Sequence, residues 1–407
     1  MRVSGVDSSR GLMKLKGFEG LNNKVDPMRG IPGSQGVAPK TWGLLKQADN
    51  IDLTDSGGAV VRDGYVAFLA GTRLTGAFST FDFKRLFIID NGVLKRVNPD
   101  GSTVDLATGV TGSPYWAELN DVVYLSCDVK LEIHPGDKVL PWGVPTPAGG
   151  HLTQSSGRLE PGNYRVCFTF IDQEGKEGGA SPFIETYVSD GALVINDIPR
   201  QEGYHTLIYL SGKSPVFHFM VAVSSAFEGA YTYTGYPLGR ELTNQFLDQP
   251  PAGATYIAGF KGQLYAAEHL PDANATAIWY SEPLGYHLFN YNDSYFMVPG
   301  KVVQMGANDD ALMLSTEDRT FLYDQNGLSQ VAEYGSVPGQ HTDLGPDGKL
   351  YFWTKRGLCR IAPFENLTES DVSVAPGVRA AGGVVQRHGY KQFVVALQSG
   401  GSPFNKR

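Results

Sequence analysis

Cysteine is scarce in this chain: Cys127, Cys167 and Cys359 are the only three in 407 residues. Odd in number, far apart and set in apolar runs, they argue against a disulfide framework or a thiolate metal site and predict buried thiols. Long hydrophobic runs are missing too. The densest, Val216 to Val223, falls far short of the ~18 residues a membrane-spanning helix needs, so no membrane insertion is expected. Basic blocks are absent, and 34 Lys and Arg against 42 Asp and Glu leave a net charge of −8. The electrostatic footprint of a nucleic-acid binder is therefore lacking. Charged residues reach only 19%, but 42% hydrophobic and 11% aromatic residues give ample surface to bury, which excludes a disordered chain. Met1 to Gly5 carries no apolar segment of a secretory signal, so synthesis in the cytoplasm is expected.

Catalytic motifs are also lacking. Gly212-Lys213-Ser214 has the end of a phosphate-binding loop, but Leu207 stands where that loop requires its first glycine. No G-x-S-x-G, H-E-x-x-H or C-x-x-C occurs. The eight histidines (His134, His151, His205, His218, His269, His287, His341 and His388) include no pair at metal-ligand spacing and are expected in turns or interfaces. Asp309, Asp310, Glu317, Asp318 and Asp343 are the nearest candidates for a dispersed pair of glycosidase carboxylates, and turn chemistry explains each of them. Asp172, Glu174 and Glu177 suggest a cation loop, but without an EF-hand pattern a solvated turn is the expectation. No enzyme, cofactor or metal is expected.

Glycine and proline are what the chain has in abundance, 50 and 24 residues. Helical spacing is rare, whereas four-to-six-residue runs of Val, Ile, Leu, Tyr and Phe recur between Gly, Asn and Asp clusters, as in β-strands. One pattern repeats: a polar turn feeding an aromatic-rich apolar run. It begins at Lys84, Asn120, Lys261, Asn308, Pro346 and His388, at intervals of 36, 141, 47, 38 and 42 residues. Apart from one gap, this is the ~40–50-residue period of β-propeller blades. The long gap holds one blade and roughly 100 further residues, the size of a β-sandwich. Asn91-Gly92 marks a hairpin, because a type I′ turn needs positive φ at both central residues. An irregular all-β protein with unrelated hairpins is the competing reading.

The expected fold is therefore all-β: a β-propeller of about five to seven blades with an inserted fibronectin type III-like β-sandwich and an extended N-terminal arm. Residues 1–50 form the arm, 51–150 the first part of the propeller, 151–249 the sandwich, 250–399 the second part and 400–407 a tail. Pro141 to Pro147 makes a stiff linker into the sandwich, and Asp248 to Gly253 closes its far side. Within it, Leu159 to Phe170 reads as a strand turned by Asp172 to Gly175, with further strands at Ala192 to Ile195 and Thr206 to Leu210.

Gly17 to Pro27, Gln47 to Thr54 and Val61-Arg62-Asp63-Gly64-Tyr65 resemble the opening of tailed-bacteriophage tail proteins. The order of arm, blades, a sandwich with a Pro161-Gly162-Asn163-Tyr164 strand, and blades containing Ile278 to Leu284 is similar to the tail nozzle or tail-hub proteins of short-tailed phages. This resemblance implies a homohexameric ring below the adaptor of the head-to-tail connector. Such a ring encloses the channel for genomic DNA, which passes without specific binding, and docks tail fibres or spikes. The resemblance brings no catalytic residues. It places the protein in the virion tail after synthesis in the host bacterial cytoplasm, and makes Phe18, Leu21, Asn22, Asn23, Val25, Asp26 and Arg29 the arm's partner contacts. The chain departs from the family in lacking sizeable insertions after Asp248, which leaves open a minor tail or baseplate protein of a long-tailed phage. A host-receptor protein stacking glycans on Tyr286, Tyr291 and Tyr295 is a further alternative, against packing of those tyrosines between blades.

Overall fold

The computed structural model describes residues 67–399 except 212–217, 224–228, 236–237, 340–342, 346 and 388–389, together with 20–21, 24, 44–45, 51–53 and 59–61. It is all-β, built from many small antiparallel sheets, with no α-helix among the described residues. No helix there is long and apolar enough to cross a membrane. Two compact units divide the chain: Thr72–Lys301, and Met1–Gly71 with Val302–Arg407.

The unit Thr72–Lys301 opens with two four-stranded meanders. Sheet I holds Leu74–Ser79, Leu86–Asp90, Val93–Val97 and Thr103–Thr108, and sheet II holds Tyr115–Leu119, Val122–Ser126, Lys130–Ile133 and Val139–Pro141. Asn91 and Gly92, at φ 50° and 77°, make the expected type I′ turn, and Asn120-Asp121 repeats it in sheet II at 52° and 63°. Phe87, Ile89 and Leu94 of sheet I pack against Trp116, Val123, Leu125 and Ile133 of sheet II, all buried.

Sheet III follows after the insertion. Ala254–Phe260, Gln263–Leu270 and Ala275–Glu282 run as a meander, and Ala275–Glu282 pairs also with Gly285–Asn290 and Tyr295–Pro299. Sheets II and III are direct neighbours although 112 residues separate Pro141 from Ala254 in the sequence. The Tyr115 and Tyr256 hydroxyls lie 3.1 Å apart, and Ser126 Oγ and Lys130 Nζ both donate to the Ala254 carbonyl, at 3.0 and 2.7 Å.

The segment between them is a two-sheet module. His151–Leu159, Gly191–Asn196 and Tyr231–Tyr233 form one sheet; Ile184–Val188, Gly162–Ile171, His205–Ser211 and Phe219–Val223 form the other. They share a core of Tyr164, Val166, Phe168, Val188, Leu193, Ile195, Ile208 and Leu210. The strand expected from Leu159 starts later, at Gly162, because Pro161 has no N–H to give a ladder and breaks the chain into two strands. That strand is buried on both faces, since Cys167 packs with Leu207, Tyr209 and Leu242 on the side away from the shared core.

In the second unit, sheet IV holds Val302–Ala307, Leu312–Thr316, Thr320–Asp324 and Gly327–Ala332. Sheet V holds Asp343–Leu344, Leu350–Thr354, Gly357–Ile361 and Glu365–Asn366, and sheet VI is the hairpin Arg379–Arg387 with Tyr390–Gln398. Met313 of sheet IV packs into the Leu350, Phe352, Cys359 and Ile361 core of sheet V, and Trp353 on the other side meets Ala380 and Phe393 of sheet VI. Each of the six repeated apolar runs lies in a strand paired with the strand just before it in the chain, the second of its sheet except in sheet III, which Leu247–Asp248 also joins by pairing with Gly285–Asn290. Of the earlier chain, Gly20–Leu21 pairs in parallel with Leu44–Leu45, and Ile51–Leu53 pairs antiparallel with Ala59–Val61.

Candidate functional site

Of the arm contacts expected from the sequence, Leu21 lies in the short strand Gly20–Leu21 and is half-buried. Phe18, Asn22, Asn23, Val25, Asp26 and Arg29 lie outside the described residues. All three cysteines are free thiols. Burial pushes Cys167 up to about 12 and Cys359 up to about 11, and raises half-buried Cys127 as well, so none is a ready nucleophile.

Four of the dispersed carboxylates stand in turns, and Asp343, expected in one, lies in a strand, where it pairs with Tyr351. Asn308 Oδ1 accepts from the N–H groups of Asp310 and Ala311, closing the tip that carries Asp309 and Asp310. Glu317-Asp318 follows a strand end where Thr316 Oγ1 accepts from Asp318 and Arg319, and Asp318 pairs with Lys355 at 3.3 Å. Asp343 opens the first strand of sheet V. No group of three His, Cys, Asp or Glu among the described residues is placed to hold a metal ion.

The segment Asp172 to Glu177 differs from a wholly solvated turn. Asp172 Oδ1 accepts from the N–H groups of Glu174 and Lys176, as an Asx turn does, while Glu174 pairs with Lys138. Lys176 Nζ reaches Glu132 of sheet II, 2% exposed, whose Oε1 also lies 2.9 Å from His134 Nε2. Glu177 is half-buried: its carboxylate accepts from Thr169 Oγ1 at 2.6 Å, from Tyr209 at 2.9 Å and from Arg240. Its carbonyl takes His287 Nε2 of sheet III at 3.0 Å. One turn of the module thus fastens it to sheet II through charge-assisted bonds, the strong kind in a dry setting, and to sheet III through the bond of His287 to a backbone carbonyl.

The three tyrosines fall into two groups. Tyr286 is an internal brace: its hydroxyl accepts from Asn120 Nδ2 at 2.6 Å, and its ring meets Tyr124 edge-on. Tyr291 and Tyr295 flank Trp279, at 4.8 and 4.7 Å between ring centroids, on a face where Glu268 accepts from Trp279 Nε1 at 3.0 Å. Tyr295 and neighbouring Met297 are exposed there.

A second exposed feature had no sequence signal. Most non-glycine residues with positive φ are Asn, Asp or Lys, but Phe83 and Leu284 also take φ of 57° and 60° and are 86% and 80% exposed. The left-handed region costs an L-residue roughly 1–2 kcal/mol, and exposing a large apolar side chain recovers none of it. The Phe83 turn is held rigidly. Thr80 N donates to Arg85 O, Phe83 N to Thr80 O, Lys84 N and Thr80 Oγ1 to Asp82 Oδ1, and Phe81 N to Glu118 Oε2. Those bonds hold the Asp82 carboxyl well below the usual carboxylate range. Arg85 then donates to Asp121 O at 2.7 Å, and Asn120 to Tyr286 two residues beyond Leu284. Phe81, 60% exposed, Phe83 and Leu284 therefore stand along one continuous rim of sheets I, II and III.

No family model matches the chain, and no curated protein matches it. Among solved structures it is similar to apo AztD from Citrobacter koseri, at 14% identity over 74% of this chain and 87% of that one, with a TM-score of 0.30. Kuenenia stuttgartiensis hydrazine synthase aligns at 10% identity over 73% and 80%, TM-score 0.32. The AfRom2 CNH domain aligns at 7% identity over 76% and 91%, TM-score 0.25. These likenesses are shallow, and the sheets and side chains described above carry the reading instead.

Proposed function

We propose that this chain is a structural protein of a tailed-phage virion, a nozzle or hub subunit that forms a ring, continues the DNA-ejection channel below the adaptor and docks fibres or spikes. In this reading sheets I to VI are blades of a β-propeller and the two-sheet module is its inserted fibronectin type III-like sandwich. The order of parts supports it: an N-terminal region, two meanders, a two-sheet insertion fastened at its base, then further meanders that begin beside the point of departure. That order is what the resemblance of Gly17 to Pro27, Pro161 to Tyr164 and Ile278 to Leu284 implies.

Chemistry is compatible with it. Each carboxylate proposed for catalysis from the sequence and described with its partners serves a turn or an ion pair, and the reading assigns no reaction or cofactor. A net charge of −8 suits a conduit, because Lys and Arg contacts to phosphate hold DNA through counterion release and would retard its passage. A ring of heterologous contacts needs two different surfaces on each subunit, and a braced insertion and an exposed rim supply such surfaces.

The test is negative-stain imaging of the source particle labelled with an antibody against this chain. Label at the lower end of the tail supports the reading, and a particle lacking the protein overturns it. A second reading, host-receptor recognition, is favoured by the exposed Trp279–Tyr295 face with its carboxylate, an arrangement suited to stacking a sugar ring. Label confined to fibre tips together with binding on a glycan array would select it.

A further inference from the structure

Donors and acceptors on the Trp279–Tyr295 face do not balance. In register, Trp279 stands between Ala266 and Tyr295, and Ala277 between Glu268 and Met297. Residues two apart share a face of a strand, so Glu268, Trp279, Tyr295 and Met297 project from the same side of sheet III. Ala277, 1% exposed, is small enough for the indole to reach across it to Glu268. Tyr291, in the turn between Gly285–Asn290 and Tyr295–Pro299, meets the indole edge-on and completes the aromatic cluster.

The two inner donors of this cluster are spent. Trp279 Nε1 gives its proton to Glu268 Oε2 at 3.0 Å, and the Tyr291 hydroxyl gives its own to the Gln249 carbonyl at 2.9 Å. Burial, then the charges of Asp248 and Glu268, hold that hydroxyl above its ordinary range, so it stays protonated. What is left over accepts. Glu268 Oε1 takes no hydrogen bond among the described residues, and it lies against Gly253, where a Cβ would come within 2.3 Å of it. Lys130 of sheet II forms no ion pair with it, because its Nζ is held by the Cys127 and Ala254 carbonyls at 2.9 and 2.7 Å. The aromatic faces are electron-rich as well. Residues 248–299 hold Asp248, Glu268, Asp272, Glu282 and Asp293 against Lys261 as their only Lys or Arg, and Lys261 sits over Phe260 at a hairpin tip. A ligand suited to this face brings N–H donors, positive charge and a flat apolar side for stacking.

We propose that this face binds an amino sugar through its free ammonium: the pyranose ring stacks on Tyr295 and Trp279, and the ammonium donates to Glu268 Oε1 within the field of the rings. An N-acetyl sugar offers the same ring without the charge, and an acidic sugar would meet Glu268 and Asp248 with charge of their own sign. The inference rests on the receptor reading above and names the sugar class.

Isothermal titration of the full-length chain at about pH 6, where such an amine is protonated, tests it with trimers of glucosamine, of N-acetylglucosamine and of N-trimethylglucosamine, the last a cation without an N–H. The glucosamine trimer should bind at least about tenfold more tightly than either of the others, the worth of one charge-assisted hydrogen bond. Glu268→Gln keeps an acceptor for Trp279 and should abolish this preference, while Tyr295→Ala, at an exposed position, should weaken all three. Circular dichroism checks the fold of both variants. An N-acetyl or trimethyl trimer that binds as tightly as the amine overturns the inference. So does a preference that survives Glu268→Gln, which would be the attraction of any cation to a chain of net charge −8. No binding of any trimer at about 10 mM, tenfold above a weak millimolar site, overturns it too. None of these results decides the receptor reading, which falls if a glycan array binds nothing and the labelled chain lies away from fibre tips.

Discussion

Replacing Lys176 by methionine is expected to destabilise the unit Thr72–Lys301 by about 3 kcal/mol, the lower end for breaking a buried ion pair. Lys176 Nζ bonds Glu132, which is 2% exposed, and its removal strands a carboxylate that water cannot reach. His134 Nε2 at 2.9 Å stays as one partner, which is why the loss falls at the lower end. Replacing both residues, Glu132→Leu with Lys176→Met, should return the stability to within about 1 kcal/mol of the wild type, since no charge is then buried. The coupling between the two positions is thus about 2 kcal/mol or more. Equilibrium unfolding in urea, followed by tryptophan fluorescence, reads it. With a slope of about 2–3 kcal/mol/M, the single variant moves the midpoint down by about 1–1.5 M. A shift under about 0.3 M, near 1 kcal/mol, or a double variant whose loss is the sum of the singles, would refute the claim that this pair fastens module to sheet.

Other outcomes follow from separate features. Burial lowers the pKa of His287, so the unfolded chain binds a proton before the folded one does, and stability must fall as pH drops from 7 through the unfolded value near 6.5; His287→Gln should flatten that slope in melts between pH 7 and 5. Cys167 and Cys359 should resist a thiol reagent at pH 8 until the chain is unfolded, with Cys127 reacting slowly in the native state, as timed absorbance would record. Phe352→Ala, in the core shared by sheets IV and V, should cost about 3–5 kcal/mol in urea melts.

Short-range chemistry was legible in the sequence. Asn91-Gly92 takes the two positive φ values its type I′ turn demands, and the apolar runs beginning near Lys84, Asn120, Lys261, Asn308, Pro346 and His388 all became strands, each paired with the strand just before it. Partnerships across the fold were not. Glu177 reads as a turn carboxylate because nothing local shows that Thr169, Tyr209 and Arg240 converge on it from 8, 32 and 63 residues away. Phe83 sits in a T-F-D-F-K stretch that alternates like a strand. Only the bonds from Thr80 and Asp82, closed by Glu118 from the next sheet, force it into the left-handed turn.

The insertion works because its two ends meet. Thr146 Oγ1 on the outgoing segment donates to Asp248 Oδ1 on the returning one at 2.6 Å, and Gly143 leaves room for Pro250, whose Cδ would stand 2.5 Å from a Cβ there. With the stem closed, the 112 residues between sheets II and III behave as a loop with its ends already joined, and their length adds little to the entropy of folding the meanders. The stem also grips the module's own turn. A Cβ on Gly178 would lie 2.8 Å from the Val144 carbonyl oxygen, and one on Gly179 only 1.8 Å from that of Leu247, so both segments of the stem press on this dipeptide. Gly179→Ala must push backbone against backbone, where no rotamer gives relief, and should cost at least about 2–3 kcal/mol. Because Lys176 and Glu177 directly precede it, the same displacement would pull on Glu132 and His287. Gly179→Ala combined with Lys176→Met should therefore lose less than the sum of the two, and strict additivity in urea midpoints would show that stem and charge lock are independent.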